Sequence, residues 1–147
     1  PEIGNNALLA KALGLTVTGW WLDYEGTAIA ARCDAPGVSR AELAERMRQC
    51  YPDTFIEIAG GPEQPASIGI LTGSGQSAVP KMAAHGIDTL ITGELKQDHY
   101  TFAHEQGLNL LLGGHYATET FGVKALAEAC AAHFGLPWCF LDQPCPL

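Results

Sequence analysis

A histidine and a glutamate stand four positions apart in the turn GGHYATE, residues 113–119. If the helix expected after the two glycines starts at His115, the i and i+4 spacing puts His115 and Glu119 on one face. An imidazole nitrogen and a carboxylate oxygen suit a single zinc, manganese or iron ion in a mixed nitrogen and oxygen site. The same spacing also has a purely structural explanation, in which His115 caps the helix and Glu119 favours its positive end. A second candidate is TGELKQDHY, where Glu94 directly follows an apolar run and His99 lies a little over one helical turn on. A carboxylate so placed could act as general base towards a metal-bound water, with His99 relaying the proton. Alternatively, Glu94 is a first-turn glutamate stabilising a helix start. The turn TGSGQS could offer backbone N–H groups to an anion, but it lacks the lysine of a phosphate-binding loop and the full GxGxxG spacing, so a tight turn is the simpler reading.

Repeated strand, glycine turn and helix units must position these residues. From Ser67 onward SIGILTGSG, IDTLITGEL and LNLLLGGHY are apolar runs that break at glycine, and Gly73, Gly93 and Gly113 recur every 20 residues, the length of one βα unit. Between them QSAVPKMAAHG, KQDHYTFAHEQG and ATETFGVKALAEACAAHFG each end at a glycine, as a helix C-cap should. LPWCFLD reads as a last strand. Such continuous apolar strands joined by helices predict an α/β fold with a mostly parallel sheet and flanking helices, with ligands beyond the carboxyl ends of the strands. Ser74, Glu94 and His115 follow three successive strands and would share that rim.

Residues 1–66 differ from residues 67–147 in rhythm. A short helix is expected at GNNALLAKALG, with Asn5 or Asn6 as N-cap and Gly14 as its stop. VTGWWLDY and TAIAARCD flank the hairpin turn EG, SRAELAERMRQCY carries Ser39 and Glu42 as a capping box, and TFIEIAG closes the segment. GPEQPA is the expected boundary within what otherwise reads as one compact domain. GWW at 19–21 suits core or interface packing.

Composition narrows the function classes. A 47% hydrophobic share with 16% charged residues supports a packed core, and a net charge of −8 disfavours nucleic acid as the main ligand. Five cysteines without a CxxC pair suggest reduced, mostly buried thiols rather than a disulfide framework or zinc ribbon. With neither an export signal nor an apolar membrane span, the cytoplasm is the expected location.

Taken together, GIDTLITGELKQDHYTFAHEQGLNLLLGGHYATETFGVKAL resembles the Nif-three-like dinuclear metal-centre family, the GTP cyclohydrolase I type 2 homologues. GNNALLAKALGL, TGSG and the terminal FLDQPCPL fit the same pattern. The resemblance implies a two-lobed α/β protein of which this chain is the second, C-terminal lobe, hexameric toroids of identical subunits, and two divalent ions (Zn, Fe or Mn) between the lobes. It makes His115 and Glu119 metal ligands and places Glu94 and His99 along the site in catalytic roles. The family's other ligands, an adjacent histidine pair and an aspartate, would precede residue 1, and no HH pair occurs here. The implied function is hydrolase-like chemistry on a small, nucleotide-like molecule; a regulatory or scaffold protein that binds metal without turnover is the alternative.

Overall fold

The computed structural model describes residues 2–34 and 37–145. Pro1, where the expected N-terminal segment opens, and the last two residues of FLDQPCPL lie outside that range. Helix α1 (Asn5–Ala12) leads into strands β1 (Thr16–Tyr24) and β2 (Thr27–Asp34), then α2 (Arg40–Cys50) and β3 (Ile56–Ala59). The remainder is β4 (Ile68–Ser74), β5 (Thr89–Glu94), α3 (Asp98–Gln106), β6 (Asn109–Leu112), a single-turn α4 (His115–Thr118) and α5 (Thr120–Phe134). One six-stranded sheet in the order β1-β2-β4-β5-β6-β3 joins strands from both segments.

The α/β class expected from the sequence holds, with helices flanking the sheet, but the strand directions are mixed. Only β4-β5-β6 are parallel; β1 with β2, β2 with β4, and β3 with β6 pair antiparallel. The continuously buried β4, β5 and β6 are parallel, as their βα rhythm implies, and the antiparallel pairings come from the β1-β2 hairpin and the short β3, whose residues are only partly buried and which join the same sheet at its edges. The hairpin between β1 and β2 turns on Glu25 (φ 50°) and Gly26 (φ 81°), the left-handed pair that matches the twist of the strands it joins. Strand β3 crosses to the far edge, where its Glu57 is held by Arg40 and by Arg48 at 3.1 Å.

Alternation along the central strands divides the core between the two faces of the sheet. Ile91 and Leu111 join Leu9, Leu13, Leu43 and Met47 from α1 and α2, whereas Leu90 and Leu110 face Trp21, Met82 and Ala103 on the other side. Each leucine, isoleucine or methionine among them contributes about 1.5–3 kcal/mol by leaving water. Trp21 is core, donating its indole N–H to Ala31 O at 3.1 Å, while Trp20 remains 38% exposed.

Three local expectations change. Gly4, not an asparagine, precedes α1, and no side chain caps it. Asn5 and Asn6 work over long range instead: Asn6 accepts from Thr72 N at 2.8 Å and donates to Ile29 O at 2.8 Å, and Asn5 accepts from Gly122 N at 2.6 Å. QSAVPKMAAHG forms two short 3-10 turns, Val79–Lys81 and Ala83–His85, because Pro80 has no N–H to extend a longer ladder. LPWCFLD is not a strand; both sheet edges lie elsewhere, and residues 136–145 run as an irregular tail. Tyr116 secures that tail, donating to Asp142 Oδ1 at 2.7 Å and accepting from Gln143 N at 3.0 Å. Ser39 does cap α2, accepting from Glu42 N at 3.1 Å, but Glu42 turns to Arg46 and leaves the capping box half made. No helix among the described residues is long and apolar enough to cross a membrane.

Candidate metal centre

The carboxyl ends of β4, β5 and β6 form a rim closed by glycines. After β6, Gly113 N donates to Thr92 O and Gly114 N to Gly93 O, both at 2.9 Å, so the chain stays bound to β5 for two more residues. Gly114 then turns at φ 92°, a left-handed conformation that L residues adopt only under strain, and α4 begins at His115. Thr118 fastens this turn across the sheet: its hydroxyl accepts from Gly73 N at 3.0 Å and donates to His115 O at 3.1 Å.

His115 sits between two carboxylates. Its Nδ1 is 3.0 Å from Glu94 Oε1, at the end of β5, and its Nε2 is 3.4 Å from Glu119 Oε2. Glu119 occupies a joint (φ −99°, ψ 5°) between α4 and α5, so the i,i+4 pair survives although the helix is interrupted. All three side chains are 39–47% exposed and reachable from solvent.

The donor set fits one edge of a metal site. Two ligand bonds of about 2.1 Å at a tetrahedral angle place their donor atoms about 3.4 Å apart. That is the His115 Nε2 to Glu119 Oε2 separation. The same pair would need further ligands, because among the described residues no three His, Cys, Asp or Glu side chains form a group that could hold an ion.

The structure brings Glu94, His115 and Glu119 together and gives His99 a different neighbourhood. His99 Nδ1 lies 3.0 Å from Asp98 Oδ1 and 3.2 Å from Lys96 O, and its ring lines a separate cavity of about 260 Å³ with Val79, Pro80 and Phe102. Within TGSGQS, Thr72 N donates to Asn6 Oδ1, Gly73 N to the Thr118 hydroxyl and Gly75 N to Glu94 O, and Gly75 O accepts from Ala78 N and Val79 N just beyond it. It forms the tight turn that its glycines imply. The cysteines also depart from expectation: only Cys33 is buried, with its thiol pushed up to about 11 by burial and then by Asp34, while Cys50, Cys130, Cys139 and Cys145 are exposed.

Beside Glu94 opens a cavity of about 490 Å³ with apolar walls from Phe55, Leu95 and Leu112, polar groups from Asp53 and Thr54, and the tail residue Cys145. Its lining contains neither lysine nor arginine.

The hydrogen bond to Glu94, followed by the negative charges of Glu119 and Glu94, raises the His115 pKa above its ordinary 6.5 against an opposing effect of burial. Because the folded value is the higher one, the stabilisation from the charged imidazole is complete below pH 6.5 and disappears as pH rises through the folded value. A proton NMR titration of the metal-free chain is expected to give a His115 midpoint above 6.5, lowered in a Glu94→Ala variant.

The bond joining Thr118 to Gly73 had no precursor in the sequence pattern, since it spans 45 residues. The only local hint was a threonine three positions after the histidine.

The family model for Duf34/NIF3 (NGG1p interacting factor 3) matches residues 1–146. The chain is 37% identical over 145 residues to a protein of Deinococcus radiodurans named GTP cyclohydrolase 1 type 2 homolog, with 98% of this chain covered. It is 36% identical over 156 residues to the Escherichia coli K12 protein of the same name, with 99% covered. It spans 55% and 58% of those two relatives' lengths. Among solved structures, protein ybgI, described as of unknown function, superposes with a TM-score of 0.87 at 35% identity over 100% of this chain and 58% of its own. TTHA1606 from Thermus thermophilus gives 0.84 at 38% identity over 99% of this chain and 57% of its own. Reduced HcgD from Methanocaldococcus jannaschii shares the fold, at 24% identity and a TM-score of 0.72 over 89% of this chain and 52% of its own. By this family match and these relatives, the chain belongs to the Duf34/NIF3 family.

Proposed function

We propose that this chain supplies part of a dinuclear metal centre, holding one of two divalent ions (Zn, Fe or Mn) through His115 and Glu119, in a cytoplasmic hydrolase-like enzyme. The carrying observation is the 3.4 Å separation of His115 Nε2 and Glu119 Oε2, which matches two neighbouring donors on one ion. When bound, the ion supplies a water acidic enough to ionise near neutral pH and an electrophile for the bond to be cleaved.

The chain's own residues do the rest. The apolar walls of the 490 Å³ cavity hold a small molecule and exclude bulk water, and the Glu94 carboxylate at its edge is placed to accept a proton. His99, expected from the sequence as the proton relay, lines a separate cavity with Asp98 and is assigned no step in this reading. The names of the relatives suggest opening of a guanine ring, and a cavity without lysine or arginine suits the body of a nucleotide-like molecule while its phosphates remain outside. With a net charge of −8, nucleic acid is not the main ligand.

The test is turnover of GTP and a panel of small amides and phosphate esters by the protein loaded in turn with Zn, Fe and Mn. Metal-dependent hydrolysis abolished by chelator supports the reading. Full metal occupancy without turnover on the whole panel would overturn it.

A second reading, a metal-binding scaffold within a homo-oligomer such as a hexamer, is favoured by one observation. Helix α5 buries no residue fully, and Val123, Leu126, Phe134, Leu136 and Leu141 are exposed along it and the tail. Loss of assembly on removing His115 and Glu119 would favour the scaffold; loss of turnover alone would favour the enzyme.

A further inference from the structure

We propose that Glu94 is a positioning residue: its carboxylate accepts the Nδ1–H of His115 and so keeps the Nε2 lone pair directed at the space beside Glu119. This inference rests on the metal reading of the pair and assigns Glu94 a task in addition to proton transfer.

A neutral imidazole carries one N–H and one lone pair, and only the nitrogen with the lone pair can bind a metal. An ionised carboxylate can only accept, so the 3.0 Å approach of Glu94 Oε1 to Nδ1 is favourable when the proton resides there. The tautomer so chosen exposes Nε2, and Nε2 faces the second carboxylate at 3.4 Å. Two acceptors facing each other across that distance are an arrangement that a cation between them stabilises. A carboxylate behind a histidine, fixing its tautomer and ring plane, is a recurrent support of metal-bound histidines.

The local fold explains why Glu94 suits this task better than Glu119 does. Glu94 ends a central strand, and its carbonyl accepts from Gly75 N at 3.2 Å, so its backbone is anchored on the β4 side. The preceding Gly93 allows α4 to approach so closely that an added Cβ would lie 2.8 Å from His115 Cα. The contact thus joins the last residue of β5, whose carbonyl accepts from Gly75 N, to the first residue of α4, whose carbonyl accepts from the Thr118 hydroxyl. Glu119, at the joint between two helices, has more freedom to adjust to an ion.

The experiment compares the wild-type chain with Glu94→Gln and Glu94→Ala, with circular dichroism confirming the fold. Long-range 1H–15N NMR at a pH where the ring is neutral reads the His115 tautomer, and calorimetry reads Zn2+ affinity. The wild type is expected to hold the proton on Nδ1. Glu94→Gln, whose amide oxygen still accepts, is expected to keep that tautomer and bind zinc within a few-fold of wild type. Glu94→Ala is expected to shift the proton towards Nε2 and weaken zinc by about 10- to 100-fold.

An unchanged tautomer in Glu94→Ala would overturn the proposal whatever the affinity. Equal losses of affinity in both variants without a tautomer change would make Glu94 a ligand or a charge, and would also overturn it. If the wild-type chain binds no zinc, the metal reading of this pair fails separately, and the tautomer measurement still decides whether Glu94 sets the ring.

Discussion

On the proposed metal reading, His115→Ala is expected to remove metal binding while leaving the fold intact. The side chain is 40% exposed, and its polar partners are the carboxylates of Glu94 and Glu119, themselves 39% and 47% exposed. Alanine keeps the Cβ, suits the first turn of α4, and opens no sealed cavity. Solvent screens the two carboxylates left facing each other, so the stability change should stay within about 1 kcal/mol. The affinity for metal, by contrast, loses one of two donors on the same edge. Removing a supporting group alone costs about 10- to 100-fold, so removing a ligand should cost at least roughly 100-fold. Elemental mass spectrometry after purification without chelator should find metal in the wild type and none in His115→Ala or Glu119→Ala. Metal retained in both variants would place the ligands elsewhere, with the exposed thiols of Cys130 and Cys139 the first to test.

Gly93→Ala should produce the largest loss of stability among the rim glycines. The new Cβ would lie 2.6 Å from Gly73 O, 2.7 Å from Thr118 Oγ1 and 2.8 Å from His115 Cα. Two of these are backbone atoms, and α4 cannot retreat without stretching the bond from Gly114 N to Gly93 O. Overpacking of this kind costs about 3 kcal/mol, or a fall of about 10 °C in Tm for a chain of this size. Gly73→Ala tests a different cost. Its Cβ would meet the carboxylate of Glu119, the far end of a flexible side chain, at 2.4 Å, but its φ of +70° carries a left-handed penalty of about 1–2 kcal/mol. The moved carboxylate would break the 3.4 Å edge with His115, so metal affinity should fall more than stability does. Gly19→Ala is the control, with nothing within 4 Å of the added Cβ. Thermal melts that failed to separate Gly93→Ala from Gly19→Ala would show that the rim is not packed as described.

The recurrence of glycine at 73, 93 and 113 was legible as a βα rhythm, but the glycines serve three different purposes. Gly73 makes room for the Glu119 carboxylate, Gly93 for the backbone of α4, and Gly113 for the ring of Tyr51, which a Cβ would approach to 2.6 Å. Spacing reports where a strand ends; what lies against that end belongs to another part of the chain. Asn6 illustrates the same limit. In the sequence it is a plausible N-cap, because asparagine often caps helices, but its carbonyl accepts from Thr72, 66 residues away. LPWCFLD has strand-like composition, and no sheet edge receives it.

The apolar runs, the glycine breaks between them and the His115 and Glu119 pair were legible from composition and from spacing of about one helical turn, and the family from the order of its motifs along the chain. The antiparallel pairings of β2 with β4 and of β3 with β6, the neighbourhood of His99 and the approach of Glu94 to His115 were settled only in the folded chain. Those depend on which elements meet in space: Glu94 and His115, 21 positions apart in sequence, come within 3.0 Å only because parallel β5 and β6 end together at the same rim.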